Sequence, residues 1–167
     1  FLGPGPWRVV GRHGYETTPG DDAALLYENV LIAIDEARML NNGEPSSLGR
    51  WFDLLALRHG ARVLHVGAGV GYYTAILAET VGLTGHVIGI EVDPGLAERA
   101  RRNLEPWGNA TVETADGATH ALEPASLDAI FVNAGATHPV PPWLDALADG
   151  GRLLVPLTVS DGPTGLG

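Results

Sequence analysis

The chain has 167 residues, of which 45% are hydrophobic and 18% charged, so it is long enough for a packed core and too apolar for a disordered chain. It carries 20 acidic against 10 basic side chains, and the resulting net charge of -10 disfavours nucleic acid as a partner. With no cysteine, the sequence excludes disulfides, thiolate metal sites and cysteine nucleophiles. It has no signal-peptide pattern and no apolar run of membrane-spanning length, so we expect a cytoplasmic protein that does not enter the membrane.

The first 40 residues give mixed signals. Residues 1–20 are rich in Gly and Pro and show no period, which predicts an arm or loop over the surface. Residues 21–40 open with acidic capping-type side chains and then run apolar. Their β-branched part, residues 30–34, suits a helix or a strand, and periodicity does not decide between them.

A turn and a helix follow. Residues 41–47 have turn composition, and residues 46–60 read as a helix with an apolar stripe. Ser47 is the predicted cap at its beginning, and Gly60 is the predicted residue at its end. We therefore expect residues 1–60 to form an N-terminal arm and a loop-and-helix region.

From residue 61 onward, short apolar runs alternate with helical runs. Helices are predicted at residues 72–82, 94–108 and 141–149. Strands are predicted at residues 62–66, 86–92, 110–115, 127–134 and 151–157. This alternation predicts a mainly parallel sheet with helices on both faces, an α/β fold of three α/β/α layers and Rossmann-like type. We expect residues 61–167 to form this core within one domain overall.

Three glycines lie between the first predicted core strand and the helix after it. They occur as Gly67-x-Gly69-x-Gly71, whereas a dinucleotide fingerprint is G-x-G-x-x-G and would need glycine where Tyr72 stands. Such a turn lets a ligand approach the backbone closely at the carboxyl ends of the strands. The early third glycine resembles the first motif of S-adenosylmethionine-dependent methyltransferases. A tight turn without a ligand is the alternative.

Acidic residues end the next two predicted strands. Glu91 lies 20 residues after Gly71 and is placed to accept both hydroxyls of a ribose. Asp116, followed by Gly117, is placed to accept from an adenine amino group, although Asp-Gly also forms turns. Glycine turn, Glu91 and Asp116 at the ends of consecutive strands together favour a nucleoside-bearing ligand.

At this point the sequence resembles the protein-L-isoaspartate O-methyltransferases over about residues 27–157. In that family, S-x-P is followed at fixed spacing by a Leu-Leu pair and then by a stretch such as RVLEIGTGSGY. Here Pro45 is followed by SSLGRWFDLL and then, without a gap, by ALRHGARVLHVGAGVGY. The stretches GIEVDPGLAERARRNL and GGRLLVPL also resemble the family pattern.

The resemblance implies S-adenosyl-L-methionine as cofactor, no metal, and an isoaspartyl-containing protein or peptide as substrate. It implies a methyltransferase variant of the Rossmann-like fold, with Asn133 near the reacting methyl and Gly43 and Glu44 in the substrate loop. The implied cofactor-binding residues are His65, Gly67, Ala68, Gly69, Gly71, Tyr72, Glu91, Val92, Asp116, Gly117 and Asn133.

Three departures from the family pattern stand out. His65 occupies the position of an acid that faces the ammonium group of the cofactor, and Gly43 occupies the position of the serine in S-x-P. The family continues past the GGRLLVPL strand with an antiparallel pair, so we expect the last strands to be missing here and that edge to be open or covered by a partner.

The expected reaction needs no general base, because its acceptor, the free α-carboxyl group of an isoaspartyl residue, has an ordinary pKa of about 4 and is already ionised at neutral pH. The enzyme has to align the reactants and exclude water. Two alternatives stay open. In the first, the chain keeps the cofactor and methylates another carboxylate or a small-molecule hydroxyl, since Gly43 replaces the serine. In the second, it is a non-catalytic module that binds the cofactor or has lost it.

Overall fold

The computed structural model describes residues 1–158, and the fold divides into two compact units. The first unit is Phe1–Leu54, and the second begins at Leu55. Residues 160–167, a glycine- and proline-containing stretch of loop-like composition, lie outside the described residues.

The first unit begins with a β-hairpin. Strands β1 (Arg8–Gly11) and β2 (Gly14–Thr17) pair antiparallel, with Gly11 opposite Gly14. The sequence predicts an arm or loop over residues 1–20, and for residues 8–17 the loop is wrong, because they form paired strands. Two short runs with β-forming residues flank a two-residue connection, and cross-strand bonds reinforce the pair, among them one of 2.8 Å from Arg8 Nη1 to Thr17 Oγ1.

Residues 21–40 contain no α-helix. A 3₁₀ turn over Ala23–Leu26 begins at Asp22, whose Oδ1 accepts from the Ala24 N–H at 2.9 Å. Strands β3 (Ala33–Asp35) and β4 (Leu40–Asn41) then pair antiparallel. The apolar run at residues 30–34 is therefore extended and not helical. Its backbone carbonyls accept hydrogen bonds from the N–H groups of Val10 and Asn42 in neighbouring segments.

Helix α1 (Pro45–Leu55) begins one residue before the predicted start, with proline at a position where its missing N–H costs nothing. Ser47 therefore lies inside the first turn, and the prediction that it caps the helix is wrong. The helix ends at Leu55 because Ala56 adopts a left-handed φ of +46°. Gly60 does not end it; its N–H donates to the Val81 carbonyl at 2.8 Å.

The second unit is built on a five-stranded parallel sheet, in the order β7-β6-β5-β8-β9. Its strands are β5 (Arg62–Val66), β6 (His86–Glu91), β7 (Ala110–Thr114), β8 (Leu127–Val132) and β9 (Leu147–Leu154). Its helices are α2 (Tyr72–Val81), α3 (Pro94–Leu104) and α4 (Pro141–Ala146). The predicted Rossmann-like architecture is confirmed, and the strand order reverses direction beside β5, where such sheets bind ligands.

Helices cover both faces of this sheet. On one face, an apolar cluster joins side chains of β5, β6 and β8, such as Leu64 and Ile130, to Trp143 and Ala146 of α4. Side chains alternate along a strand, so His65 points to the opposite face, where α2 and α3 pack. The buried strands read as nearly continuous apolar runs because they are covered on both sides.

Strand β9 forms one edge of the sheet within residues 1–158. The expected absence of further strands concerns chain beyond that point and stays a prediction. No helix in the described part of the chain is long and apolar enough to cross a membrane.

Candidate functional site

The turn between β5 and α2 depends on glycine for its backbone conformation. Gly67, Gly69 and Gly71 have φ values of +81°, +56° and +86°, in the left-handed region that side chains disfavour. A Cβ on Gly67 would lie 2.7 Å from the backbone oxygen of Asn133. The glycines are therefore required by the turn itself, whether or not a ligand is bound.

The N–H groups of this turn are already used inside the protein. Those of Gly67 and Ala68 both donate to the Ile90 carbonyl, at 2.8 and 3.0 Å, and that of Gly69 donates to Glu91 Oε2 at 2.7 Å. A pyrophosphate-binding turn must offer such groups to the ligand. The turn is thus held firmly to β6, with a carboxylate beside it instead of an open anion site.

Glu91 is mostly buried at the carboxyl end of β6. Besides Gly69, it binds the Asp93 N–H, which donates to Oε1 at 3.0 Å. A carboxylate offers about four acceptor positions, so each oxygen retains capacity for a further donor such as a hydroxyl. Val92, the next residue, is 70% exposed and presents an apolar surface beside this carboxylate.

Asp116 and Gly117 form a tight turn after β7. Asp116 Oδ1 accepts from the Ala118 N–H at 2.9 Å, so the turn-forming role open from the sequence is present. Gly117 packs against the end of β5, where a Cβ would lie 2.5 Å from Val66 Cγ1. The carbonyl of Gly117 accepts from Trp143 Nε1 at 2.8 Å.

Asn133 directly follows β8 and is half-buried. Its N–H donates to the Val66 carbonyl at 2.7 Å, which fixes it beside the glycine turn. The structure thus brings the predicted residues of the second unit together at the carboxyl ends of four neighbouring strands, β7, β6, β5 and β8. Within residues 1–158, no group of three or more His, Asp or Glu residues is placed to hold a metal ion.

His65 has no accessible surface, although the resemblance implies contact with the cofactor. Its Nδ1 lies 2.8 Å from Thr74 Oγ1 of α2, and its ring stacks on Phe131 at 5.0 Å. Within the described residues, its Nε2 is buried without a hydrogen-bond partner. Burial lowers the pKa of His65 to about 3, so the imidazole is neutral, and contact with an ammonium group stays a prediction.

Gly43 and Glu44 lie in the first unit, immediately before α1. Gly43 has a φ of +78°, and the Glu44 carboxylate accepts from Asn29 Nδ2 at 2.9 Å and from the Ser47 hydroxyl. Asn29 Oδ1 in turn accepts from the Ser46 N–H at 2.9 Å. Glu44 is therefore engaged by donors at the start of α1, where a helix favours negative charge.

Comparison with known proteins decides the family. The family model described as "Protein-L-isoaspartate(D-aspartate) O-methyltransferase (PCMT)" matches residues 10–163. The chain belongs to this family. A protein-L-isoaspartate O-methyltransferase of Methanothrix thermoacetophila is 37% identical over 83% of this chain, which covers 66% of that protein. A protein-L-isoaspartate O-methyltransferase 1 of Archaeoglobus fulgidus is 42% identical over 90% of the chain, which covers 68% of that protein.

One solved structure agrees with the family assignment. A structure titled as a protein-L-isoaspartate O-methyltransferase superposes with a TM-score of 0.74 and 30% identity, over 84% of this chain and 45% of the other. The chain spans about two thirds of the length of the two curated family members described above.

Three residues at the site were not singled out by sequence reasoning. Thr74 binds His65, Trp143 binds Gly117, and Asn103 Nδ2 donates to the carbonyl of Val70 in the glycine turn at 2.8 Å. Thr74 could have been found, because it lies one helical turn after Gly71 on the face directed at the sheet. The other two contacts span 26 and 33 residues, and no local pattern signals them.

Proposed function

We propose that this chain is an S-adenosyl-L-methionine-dependent methyltransferase that methylates the carboxylate of L-isoaspartyl residues in proteins or peptides, in a repair role and at a cytoplasmic location. The observation that carries the cofactor assignment is the Glu91 carboxylate at the end of β6, which accepts from the N–H of Gly69 in the middle of the glycine turn. The acceptor assignment is supported by family membership and by the names of the relatives.

The donors and acceptors at this site suit S-adenosyl-L-methionine better than a dinucleotide. Gly67, Ala68 and Gly69 have already committed their N–H groups, so a pyrophosphate would find few donors and would meet the charge of Glu91. A ligand with ribose hydroxyls and a positive charge meets acceptors there instead.

We propose a division of roles among the residues of the site. Glu91 accepts the ribose hydroxyls, Asp116 and Gly117 bind the adenine, and Asn133 lies near the reacting methyl. The glycine turn, with Ala68 and Tyr72, shapes the site for the methionine end, and Val92 packs beside the nucleoside. His65 supports the turn from within the core, through Thr74 and α2. When bound, S-adenosyl-L-methionine supplies an activated methyl group on a positively charged sulfur.

The remaining role of the protein is to orient the substrate carboxylate and the cofactor relative to each other. An isoaspartyl carboxylate is ionised at neutral pH, so no side chain has to remove a proton. We propose that residues 61–167 bind the cofactor and that residues 1–60 supply the substrate loop at Gly43 and Glu44. Since Asn29 and Ser47 already bind the Glu44 carboxylate, its repulsion of an anionic substrate is reduced.

Calorimetric titration of the chain with S-adenosylhomocysteine and, separately, with NAD tests the cofactor assignment. We expect saturable binding of the first at a stoichiometry of one and no detectable binding of the second. Binding of NAD in place of S-adenosylhomocysteine, or of neither, would contradict the proposal.

A further inference from the structure

The side chain of Trp143, in helix α4, packs against the turn that follows β7. Trp143 is 3% exposed and belongs to the apolar cluster that includes Val66 and Ile90. Its indole N–H donates to the Gly117 carbonyl at 2.8 Å, in a buried bond between residues 26 positions apart. A buried indole N–H without an acceptor is costly, so this bond fixes the turn relative to α4.

The same turn is confined from two other directions. The Ala115 N–H donates to the Glu91 carbonyl at 3.1 Å, which connects the beginning of the turn to the end of β6. Gly117 lies so close to Val66 that a Cβ would be 2.5 Å from Val66 Cγ1. The turn is therefore clamped between Glu91, Val66 and the indole of Trp143, and only the indole contact comes from outside the central strands.

Helix α4 is itself anchored to the sheet. The N–H groups of Ala125 and Ser126, just before β8, donate to the carbonyls of Asp145 and Ala146 at the end of α4, both at 2.9 Å. The backbone that carries Trp143 is therefore fixed relative to the sheet, and the indole hydrogen bond fixes the Gly117 carbonyl in turn. A loss of the indole bond releases the turn on the side where its neighbour Asp116 is proposed to meet the ligand.

We propose that Trp143 is a positioning residue for the adenine part of the cofactor, acting through the Gly117 carbonyl and so through Asp116. This inference rests on the proposed function. It assigns no contact between Trp143 and the ligand; the indole sets the place of the turn that makes the contact.

The test compares Trp143→Phe with wild type by calorimetric titration. Phenylalanine keeps an aromatic ring in the cluster and removes the N–H donor. We expect the Kd for S-adenosylhomocysteine to rise about fivefold, which is the effect of losing about one hydrogen bond. The titration is carried out well below the melting temperature of each variant, so that only folded protein binds, and it gives the enthalpy and stoichiometry as well. The rise should be the same for 5′-methylthioadenosine, which keeps the adenosine and lacks the amino-acid end.

Trp107→Phe is the matched control. Trp107 lies after the end of α3, and its indole Nε1 donates to the side chain of Glu79 in α2, at Oε1 and 2.8 Å, in an exposed hydrogen bond. This variant likewise loses one indole hydrogen bond, but away from the turn after β7, and it should bind both ligands with wild-type Kd. A role of Trp143 in stability alone would lower the melting temperature without changing the Kd of the folded protein.

A second variant pair covers the case in which Trp143→Phe fails to fold. Gly117→Ala places a methyl against Val66 and displaces the turn, so its Kd should also rise, and the double variant Val66→Ala/Gly117→Ala should recover part of the loss. Suppose that wild type binds S-adenosylhomocysteine. If Trp143→Phe or a folded Gly117→Ala then binds it with the wild-type Kd, the inference about Trp143 is overturned and the proposed function is not. Absence of binding by wild type overturns the proposed function together with it.

Discussion

The buried imidazole of His65 should make the stability of the fold depend on pH. Burial lowers its pKa from 6.5 to about 3 in the folded chain, whereas the unfolded chain exposes it to water. Below pH 6.5 the unfolded state therefore binds a proton that the folded state does not, and stability falls as the pH falls toward 3. Because the side chain is fully buried, solvent screening does not reduce this effect. At pH 5, the low pKa of His65 reduces the free energy of unfolding by about 2 kcal/mol relative to its value well above pH 6.5.

Urea unfolding at pH 7 and pH 5, without ligand, measures this contribution. Carboxylates also titrate in this range, so the quantity that matters is the difference between wild type and His65→Gln at each pH. Glutamine can still bond to Thr74 but does not titrate. Wild type should lose about 2 kcal/mol more than His65→Gln between the two pH values. His13→Gln, which changes an exposed histidine, should follow wild type. Equal losses in wild type and His65→Gln would refute a neutral, buried imidazole.

Three further substitutions separate binding from stability. Glu91→Ala should weaken binding of S-adenosyl-L-methionine by about 1–3 kcal/mol in titration, since it removes acceptors for the ribose and for Gly69, and an unchanged Kd would show that Glu91 does not contact the ligand. Asn109→Ala should instead lower the free energy of unfolding by about 2 kcal/mol and leave that Kd unchanged. Its amide donates to the carbonyls of Ala78 and Gly82 at the end of α2, whereas the glycine turn precedes the beginning of that helix; a raised Kd would contradict this. Gly67→Ala should lower the free energy of unfolding by about 2 kcal/mol or more in urea titration, because its φ is positive and its Cβ would meet Asn133. Gly108→Ala is the control: no atom lies near its Cβ, so its stability should differ little from that of wild type. Equal effects of the two substitutions would contradict the requirement for glycine in the turn.

The parallel core could be predicted closely from the sequence because its signals are local. Strand β5 matches its predicted limits, and helix α2 ends one residue before its predicted end. Strands β5, β6 and β8 are largely buried, and each of them is followed by a helix, so their apolar runs and the helical runs between them give consistent signals. The glycine spacing likewise identified the turn, because a left-handed φ at three alternating positions is a local requirement.

The first unit was harder to predict because its structure depends on pairing between distant short segments. The run at residues 30–34 has no period that distinguishes helix from strand, and it is extended because its carbonyls accept from Val10 and Asn42. The hairpin at residues 8–17 did carry a local signal, two short β-forming runs around Arg12 and His13, but the abundance of Gly and Pro nearby favoured a loop.

At the site, the sequence indicated which residues follow each strand but not how they contact one another. The bond from Gly69 to Glu91 joins residues 22 positions apart and depends on the register of β5 against β6. The position of His65 follows from strand alternation, yet its bond to Thr74 also needs the docking of α2. Contacts set by packing between elements were therefore beyond the reach of motif spacing.

Methyl transfer to a matched pair of peptides tests the central claim most directly. The chain would be incubated with labelled S-adenosyl-L-methionine and a peptide containing L-isoaspartate, and in parallel with the same peptide containing normal aspartate. The proposed function predicts saturable, base-labile methyl incorporation into the isoaspartyl peptide, none into its aspartyl twin, and a strong reduction for Glu91→Ala. Equal incorporation into both peptides, or none into either, would contradict the account.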